Sequence, residues 1–300
     1  MSSPSDPGFT IRPMRTDDVP AVERLTDEGF YELMVRTHTP DEPVPVRRSG
    51  QAAELWARRI EHILRHDPGG CWVAEGPSGL VGAAAAIKRD LTWILATYVV
   101  RPGLHGQGLG RQLLEAALAY GSGCLRGMIC SSADPRAARR YRLAGFTLHP
   151  TMSLTGVVDR SLLPVVERVR EGTTGDIDLM DSVDRQVRDA AHGVDHEVLT
   201  QMYRLVVVDR STGSGYAYVA PGGSPYLLAA TNRRTATDLL WEALAGSDPG
   251  APATIGHVTA ANEWAVDVGL AARLPLRTSG YLALRGMKPP APYLPSGHFL

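Results

Sequence analysis

RPGLHGQGLGRQLL occupies residues 101–114, with Gly106, Gly108 and Gly110 at alternate positions ahead of an apolar-periodic segment. Each glycine loses more backbone entropy on folding than any other residue, so such a cluster needs a reason. The run before it, LTWILATYVV, is almost wholly apolar, as in a strand buried on both faces. After it, Leu109, Leu113, Ala116, Ala117 and Leu118 share one side of a helix expected from about Gly108 to Tyr120, with Gly121 as its stop. A strand that ends in a glycine-rich turn and opens a helix can cradle an anion. Backbone N–H groups free of side chains converge there, and the helix N-terminus adds partial positive charge. The same glycines also suit a tight turn with close helix–strand packing.

Spacing narrows the anion. A Walker A loop would need Lys and Ser or Thr where Leu109 and Gly110 stand, which excludes nucleotide hydrolysis. A dinucleotide fingerprint fails because Gly108-Leu109-Gly110 is followed by Leu113 instead of a third glycine.

The rest of the chain bounds the problem. Lys and Arg number 31 against 32 Asp and Glu, so no global field recruits nucleic acid or an anionic membrane. No apolar run approaches the ~20 residues of a membrane span. The start, MSSPSDPGF, lacks the regions of a signal peptide, and a cytoplasmic protein is expected. Cys71, Cys124 and Cys130 have no metal-type spacing and are expected to be reduced thiols.

Strand and helix patterns alternate through residues 1–157: strand FTIRPM, helix TDDVPAVERLTDEGF, helix QAAELWARRIEHILRH, strands CWVAEG and LVGAAAAIKRD, then the strand and helix above. Strand RGMICSSA, a helix from Asp134 as cap with Pro135 at its first position, and strand TLHPTMSLTG close this half. RSLLPVVERVREG is expected to be a helical connector. Residues 158–300 then repeat the order, ending in helix NEWAVDVGLAA, strand YLALRGM and the tail PPAPYLPSGHFL, which is expected to dock on the surface. SADPRAARRYRLAGF and TAANEWAVDVGLAARL align without gaps across the helix, matching Asp134 with Asn262, Ala137 with Ala265 and Phe146 with Leu274, but Tyr141 with Gly269. Duplication is the expectation.

The run from Val100 to Gly110 resembles the coenzyme A loop of the GNAT superfamily of N-acyltransferases, [RQ]-x-x-G-x-[GA] preceded by V-x-P. His105 stands where Arg or Gln is usual. Asp134-x-x-Ala137-x-x-x-Tyr141-x-x-x-Gly145-Phe146 resembles the family's later helix motif, with Asp replacing Asn. The resemblance implies an α/β fold: two tandem GNAT-like domains, 1–157 and 158–300, each a mixed, mostly antiparallel central sheet flanked by helices. It implies acetyl-CoA as co-substrate. The N–H groups of His105, Gly106, Gln107, Gly108, Leu109, Gly110 and Arg111 would hold the pyrophosphate, and those near Val99 and Val100 the thioester. Asp134 would cap the helix beside the cofactor, Arg136, Arg139, Arg140 and Arg142 would mostly form a solvated face, and Tyr141 would be the general acid. PYLLAATNRRTATDLL occupies the corresponding junction of the second half but lacks the glycines, which implies a degenerate copy.

Acyl transfer to nitrogen needs a neutral amine, and an amine near pKa 10 is only about one part in a thousand neutral at pH 7. An ordinary Tyr stays protonated above a thiol near 8.5, so Tyr141 can give a proton to a departing thiolate. The base is not legible. LTWILATYVV holds no carboxylate; Thr97 could only position a water, and Glu28, Glu32 or the carboxylate of Leu300 are the alternatives. His62/His66 and His192/His196 have i, i+4 spacing but lack the Glu of H-E-x-x-H, so no metal is expected. Thr37–Gly50 would cover the acceptor channel, with Asp41 and Glu42 opposing Arg47 and Arg48. The acceptor is expected to be the amine of a small molecule or peptide, and a homodimer is left open. A non-catalytic acyl-CoA-binding module and an O-acyltransferase are the alternative readings.

Overall fold

The computed structural model describes residues 8–40 and 44–300 and divides into two compact units. Asp41 and Glu42 lie outside the described residues. The first unit comprises Met1–Lys88 with Leu95–Cys124; the second comprises Arg89–Ile94 with Leu125–Leu300.

In the first unit, strands β1 (Thr10–Pro13), β2 (Cys71–Gly76), β3 (Gly79–Arg89) and β4 (Thr92–Val100) lie in that order, and β1–β2 and β2–β3 are antiparallel. The turn joining β3 to β4 belongs to the second unit. Helices α1 (Val19–Thr37), α2 (Gly50–His66) and α3 (Leu109–Tyr120) complete it. Ser49 caps α2 by accepting from the Ala52 amide at 3.2 Å, and Arg65 and His66 sit in its last turn, where cations complement the helix dipole. The alanine run of β3 is buried. Small side chains there let α3 approach: a Cβ on Gly82 would lie 2.6 Å from Leu113 and 2.8 Å from Leu109.

The second unit holds β5 (Arg126–Ser131), α4 (Pro135–Leu143), β6 (Thr147–Val157), β7 (Arg170–Glu171), α5 (Ile177–Arg188), α6 (Asp195–Met202), β8 (Arg204–Val208), β9 (Gly215–Val219), β10 (Pro225–Ala230), α7 (Arg233–Ala245), β11 (Pro252–Thr259), α8 (Glu263–Ala271), β12 (Leu276–Arg285) and β13 (Tyr293–Leu294). One set of strands runs β5-β12-β6-β11, with every pairing antiparallel. A second sheet runs β13-β10-β9-β8-β7. The long strands β6 and β12 lie side by side, so β12 separates β5 from β6, and β6 separates β12 from β11. One apolar core, from Leu154 through Val206, Leu228, Leu240 and Ile255 to Leu274, serves β6, the second sheet and helices α7 and α8.

Helices α4 and α8, 128 residues apart in the gapless alignment, close identically. Phe146 N–H donates to Tyr141 O at 3.0 Å, and Leu274 N–H to Gly269 O at 2.9 Å. The residue before each donor is left-handed: Gly145 at φ 87° and Arg273 at φ 64°.

Two expectations are corrected. The connector RSLLPVVERVREG is not a helix beyond the single 3₁₀ turn Arg160–Leu162; it runs on without regular structure to β7. Pro164 lacks an amide donor and disfavours helical backbone at Leu163, and the β-branched Val165, Val166 and Val169 add nothing to helix propensity. The C-terminal segment does not lie on the surface. Tyr293 and Leu294 pair with β10 as β13, and Phe299 and Leu300 are fully buried, because an apolar end gains more by joining the core than by lying in water.

Candidate active site

Strand β4 delivers the glycine loop to the start of α3 within the first unit. Val99 at its end is buried, and a Cβ on Gly29 of α1 would lie 2.6 Å from its side chain. The chain turns at once: Arg101 N–H donates to Val81 O at 2.8 Å, and Leu104 N–H to Arg101 O at 3.1 Å. Gly103, Gly106 and Gly108 take φ values of 83°, 88° and 85°, where a side chain is strained. Nothing lies within 4 Å of where their Cβ atoms would be. His105, Gly106 and Gln107 are exposed.

Gly108 is the N-cap of α3 and makes no side-chain cap. The N–H groups of Leu109, Gly110 and Arg111 precede the first intrahelical bond, Gln112 N–H to Gly108 O at 3.1 Å. Gly110 serves a different purpose. The Tyr98 hydroxyl donates to its carbonyl at 2.7 Å, and a Cβ there would collide with that hydroxyl. Tyr98, which the sequence reading passed over, thus ties β4 to the first turn of α3. The cluster thus leaves open space at Gly106 and Gly108 and packs closely at Gly110. Arg111 is exposed and ion-paired with Glu115 at 3.7 Å.

In the second unit, Asp134 caps α4 by accepting from the Arg136 amide at 2.8 Å and pairs with the Arg136 guanidinium at 2.7 Å. Arg142 donates to Phe146 O at 2.7 Å, closing the other end of the same helix. Arg136 and Arg142 are thereby occupied at the helix ends; Arg139 is exposed. Tyr141 is 4 % exposed, and Phe146 is buried with its ring centroid 5.9 Å from that of Trp93.

The candidate bases fare unequally. Glu28 is exposed, Glu32 pairs with Arg36 at 3.8 Å, and Thr97 is buried. Leu300 is buried in the second unit, its N–H donating to Ser296 Oγ at 3.2 Å. The His62 and His66 rings lie with centroids 4.5 Å apart, tilted by 44°. Arg47 pairs with Asp27 at 3.0 Å, and Arg48 bonds both Glu23 and the Asp27 carboxylate. All three cysteines are free, and burial pushes the Cys71 thiol up to about 12.

The corresponding junction in the second unit is built differently. Asn232 caps α7 by accepting from Thr235 N–H at 2.9 Å, while its own amide donates to Thr212 O at 3.0 Å. A side chain thus occupies the end of α7 that Gly108 leaves open on α3. Asn232→Ala is expected to destabilise the protein by about 1–2 kcal/mol, read as a lower urea midpoint. An unchanged midpoint would show that the cap contributes nothing.

Residues 28–146 match the model of the acetyltransferase (GNAT) family. That segment is similar to a GNAT acetyltransferase domain. It holds both the glycine loop and α4 with Tyr141. No curated protein matches the chain. Among solved structures, a proposed acetyltransferase from Pyrococcus horikoshii is similar with a TM-score of 0.75 at 17% identity, over 100% of this chain and 98% of that one. A GCN5-related N-acetyltransferase from Sphaerobacter thermophilus gives 0.58 at 16%, over 95% and 96%. Another from Kribbella flavida gives 0.58 at 13%, over 92% and 70%. These likenesses establish the fold over nearly the whole chain. Among the described residues, no helix is long and apolar enough to cross a membrane.

Proposed function

We propose that this chain is an acyl-CoA-dependent N-acyltransferase that moves an acetyl group from coenzyme A to the amine of a small molecule or peptide. The observation that carries the reading is the uncapped, side-chain-free start of α3, at the end of an apolar strand within the GNAT-matched residues. The N–H groups from His105 to Arg111 would receive the pyrophosphate oxygens. Fixed amides are well suited to this, because they need no reorganisation when the anion arrives. Amides at Val99 and Val100 would orient the thioester. Arg111 would add charge by leaving Glu115, an exposed partner whose loss costs little.

Chemistry at the other end of the donor needs a proton. The amine attacks the thioester carbon, a C–N bond forms, the C–S bond breaks, and the sulfur leaves as thiolate. Tyr141 would give its hydroxyl proton to that sulfur, while the amine loses one proton to solvent or to a base this chain leaves undefined. Residues 158–300 would form a second, degenerate GNAT-like domain. The matched closures of α4 and α8 support common ancestry, and Asn232 in the α7 cap supports the loss of anion binding.

The decisive experiment is turnover of acetyl-CoA against a panel of amines and alcohols, with products identified by mass spectrometry. Acetylated amine supports the reading. Ester products favour O-transfer. Coenzyme A binding without any turnover favours a non-catalytic module, a reading fed by the absence of a carboxylate on β4. Tyr141→Phe is expected to lower kcat by about 100-fold while leaving coenzyme A affinity unchanged. Wild-type turnover in that variant would remove Tyr141 from the mechanism.

A further inference from the structure

We propose that Asp184, His192 and His196, with Asp181 as fourth donor, bind a divalent transition-metal ion such as Zn²⁺ in the core of the second unit. The sequence shows only a histidine pair, which by itself is weak. The fold adds the carboxylates. Helix α5 presents Asp181 and Asp184 three residues apart on one side, and the turn into α6 brings both histidines against them. One donor atom from each of Asp184, His192 and His196 lies within 4.8 Å of the others, and all three residues are fully buried.

The separations suit a cation. Asp184 Oδ2 lies 2.6 Å from His192 Nδ1 and 3.6 Å from His196 Nε2, and Asp181 Oδ1 lies 3.2 Å from that same Nε2. Ligands about 2.0–2.1 Å from a tetrahedral zinc stand about 3.3 Å apart. Two of these three separations are near this value; the third, Asp184 Oδ2 to His192 Nδ1, is a hydrogen bond that ion binding would replace.

An unsatisfied atom points the same way. His196 Nε2 is buried and has no hydrogen-bond partner, although two carboxylate oxygens face it. His196 Nδ1 lies 3.0 Å from the Tyr218 hydroxyl. If Nδ1 carries the proton and donates to Tyr218, Nε2 turns a lone pair toward two anions, an arrangement a bound cation relieves. Arg188, a buried guanidinium at the end of α5, donates to the carbonyls of Ala190, Ala191 and Phe299 and to Tyr293.

The surrounding shell holds the donors as metal sites require. Tyr216 donates to Asp184 Oδ1 at 2.6 Å, the His192 backbone N–H donates to Asp184 Oδ2 at 3.2 Å, and Gly193 N–H donates to Asp181 Oδ1 at 2.9 Å. Four protein donors close the coordination shell, which suits a structural ion that clamps α5, α6 and β9 together. Asp181, 16 % exposed, offers the route in.

The test uses the full chain, stripped with a chelator and titrated with Zn²⁺ by calorimetry, with Co²⁺ as a spectroscopic probe. One Zn²⁺ per chain, a higher Tm and visible Co²⁺ absorption of tetrahedral character are expected. His192→Gln and Asp184→Asn, which keep hydrogen-bonding capacity, are expected to weaken binding at least about 100-fold, and Tyr218→Phe about 10-fold or more. No uptake by the wild-type chain overturns the proposal, and means that a proton on His196 satisfies the carboxylates. Uptake that survives in both variants but disappears in His62→Gln also overturns it. Should the variants fail to fold, the stoichiometry and Co²⁺ spectrum of the wild type decide alone.

Discussion

Gly108→Trp is expected to abolish detectable coenzyme A binding while the protein stays folded. The two halves of that expectation come from different observations. Gly108 is left-handed at φ 85°, so any side chain there costs about 1–2 kcal/mol. Nothing lies within 4 Å of the Cβ position, so the indole meets no packed neighbour and the core is not forced apart. The ring would instead fill the space in front of the Leu109, Gly110 and Arg111 amides. Hydrogen bonds to a charged group contribute about 1.5–3 kcal/mol each, and losing three weakens binding by about 1,000-fold or more. Calorimetry with coenzyme A, alongside thermal unfolding, checks both halves. Unaltered affinity would place the pyrophosphate elsewhere, and loss of fold would show that the loop has a structural duty its open surroundings do not reveal.

Cutting the chain after residue 157 is expected to leave a first fragment that aggregates. Residue 157 ends β6, where the repeat in the sequence invites a boundary. The strand partners ignore that boundary. Tyr281–Arg285 of β12 pair with Gly127–Ser131 of β5, and Leu276–Thr278 and Tyr281–Leu284 pair with β6. Without β12, both of these strands present unpaired amides and carbonyls beside apolar side chains such as Met128, Ile129 and Leu154, a template for intermolecular pairing. Co-expression of 158–300 should restore solubility by returning the missing strand. A soluble, cooperatively unfolding fragment 1–157 would contradict the expectation, and size-exclusion chromatography with thermal melts reads the outcome.

The features legible in advance are those set by near neighbours. Asp134 with Pro135 starts a helix because a carboxylate can reach the amide two residues on and proline needs no donor. Gly145 and Phe146 end it because a left-handed residue lets the next amide reach back to Tyr141. The loop at residues 103–110 was legible for the same reason, since positive φ is a local demand. Helix α6 was missed: it has only eight residues, and Gly193 just before it hides the start. Tyr98 was missed because nothing local distinguishes a tyrosine that clamps Gly110 from one that merely packs.

By itself the amino-acid order determined most of the strands and helices and which junction starts a helix without a side-chain cap. Those properties depend on backbone torsions and caps within a turn or two of each residue. Tertiary structure alone decided that β12 lies between β5 and β6, that the apolar end of the chain is buried, and that Asp184 meets His192 and His196. Such pairings arise from summed burial and hydrogen bonding between segments far apart in the chain, and periodicity carries no record of which distant partner wins.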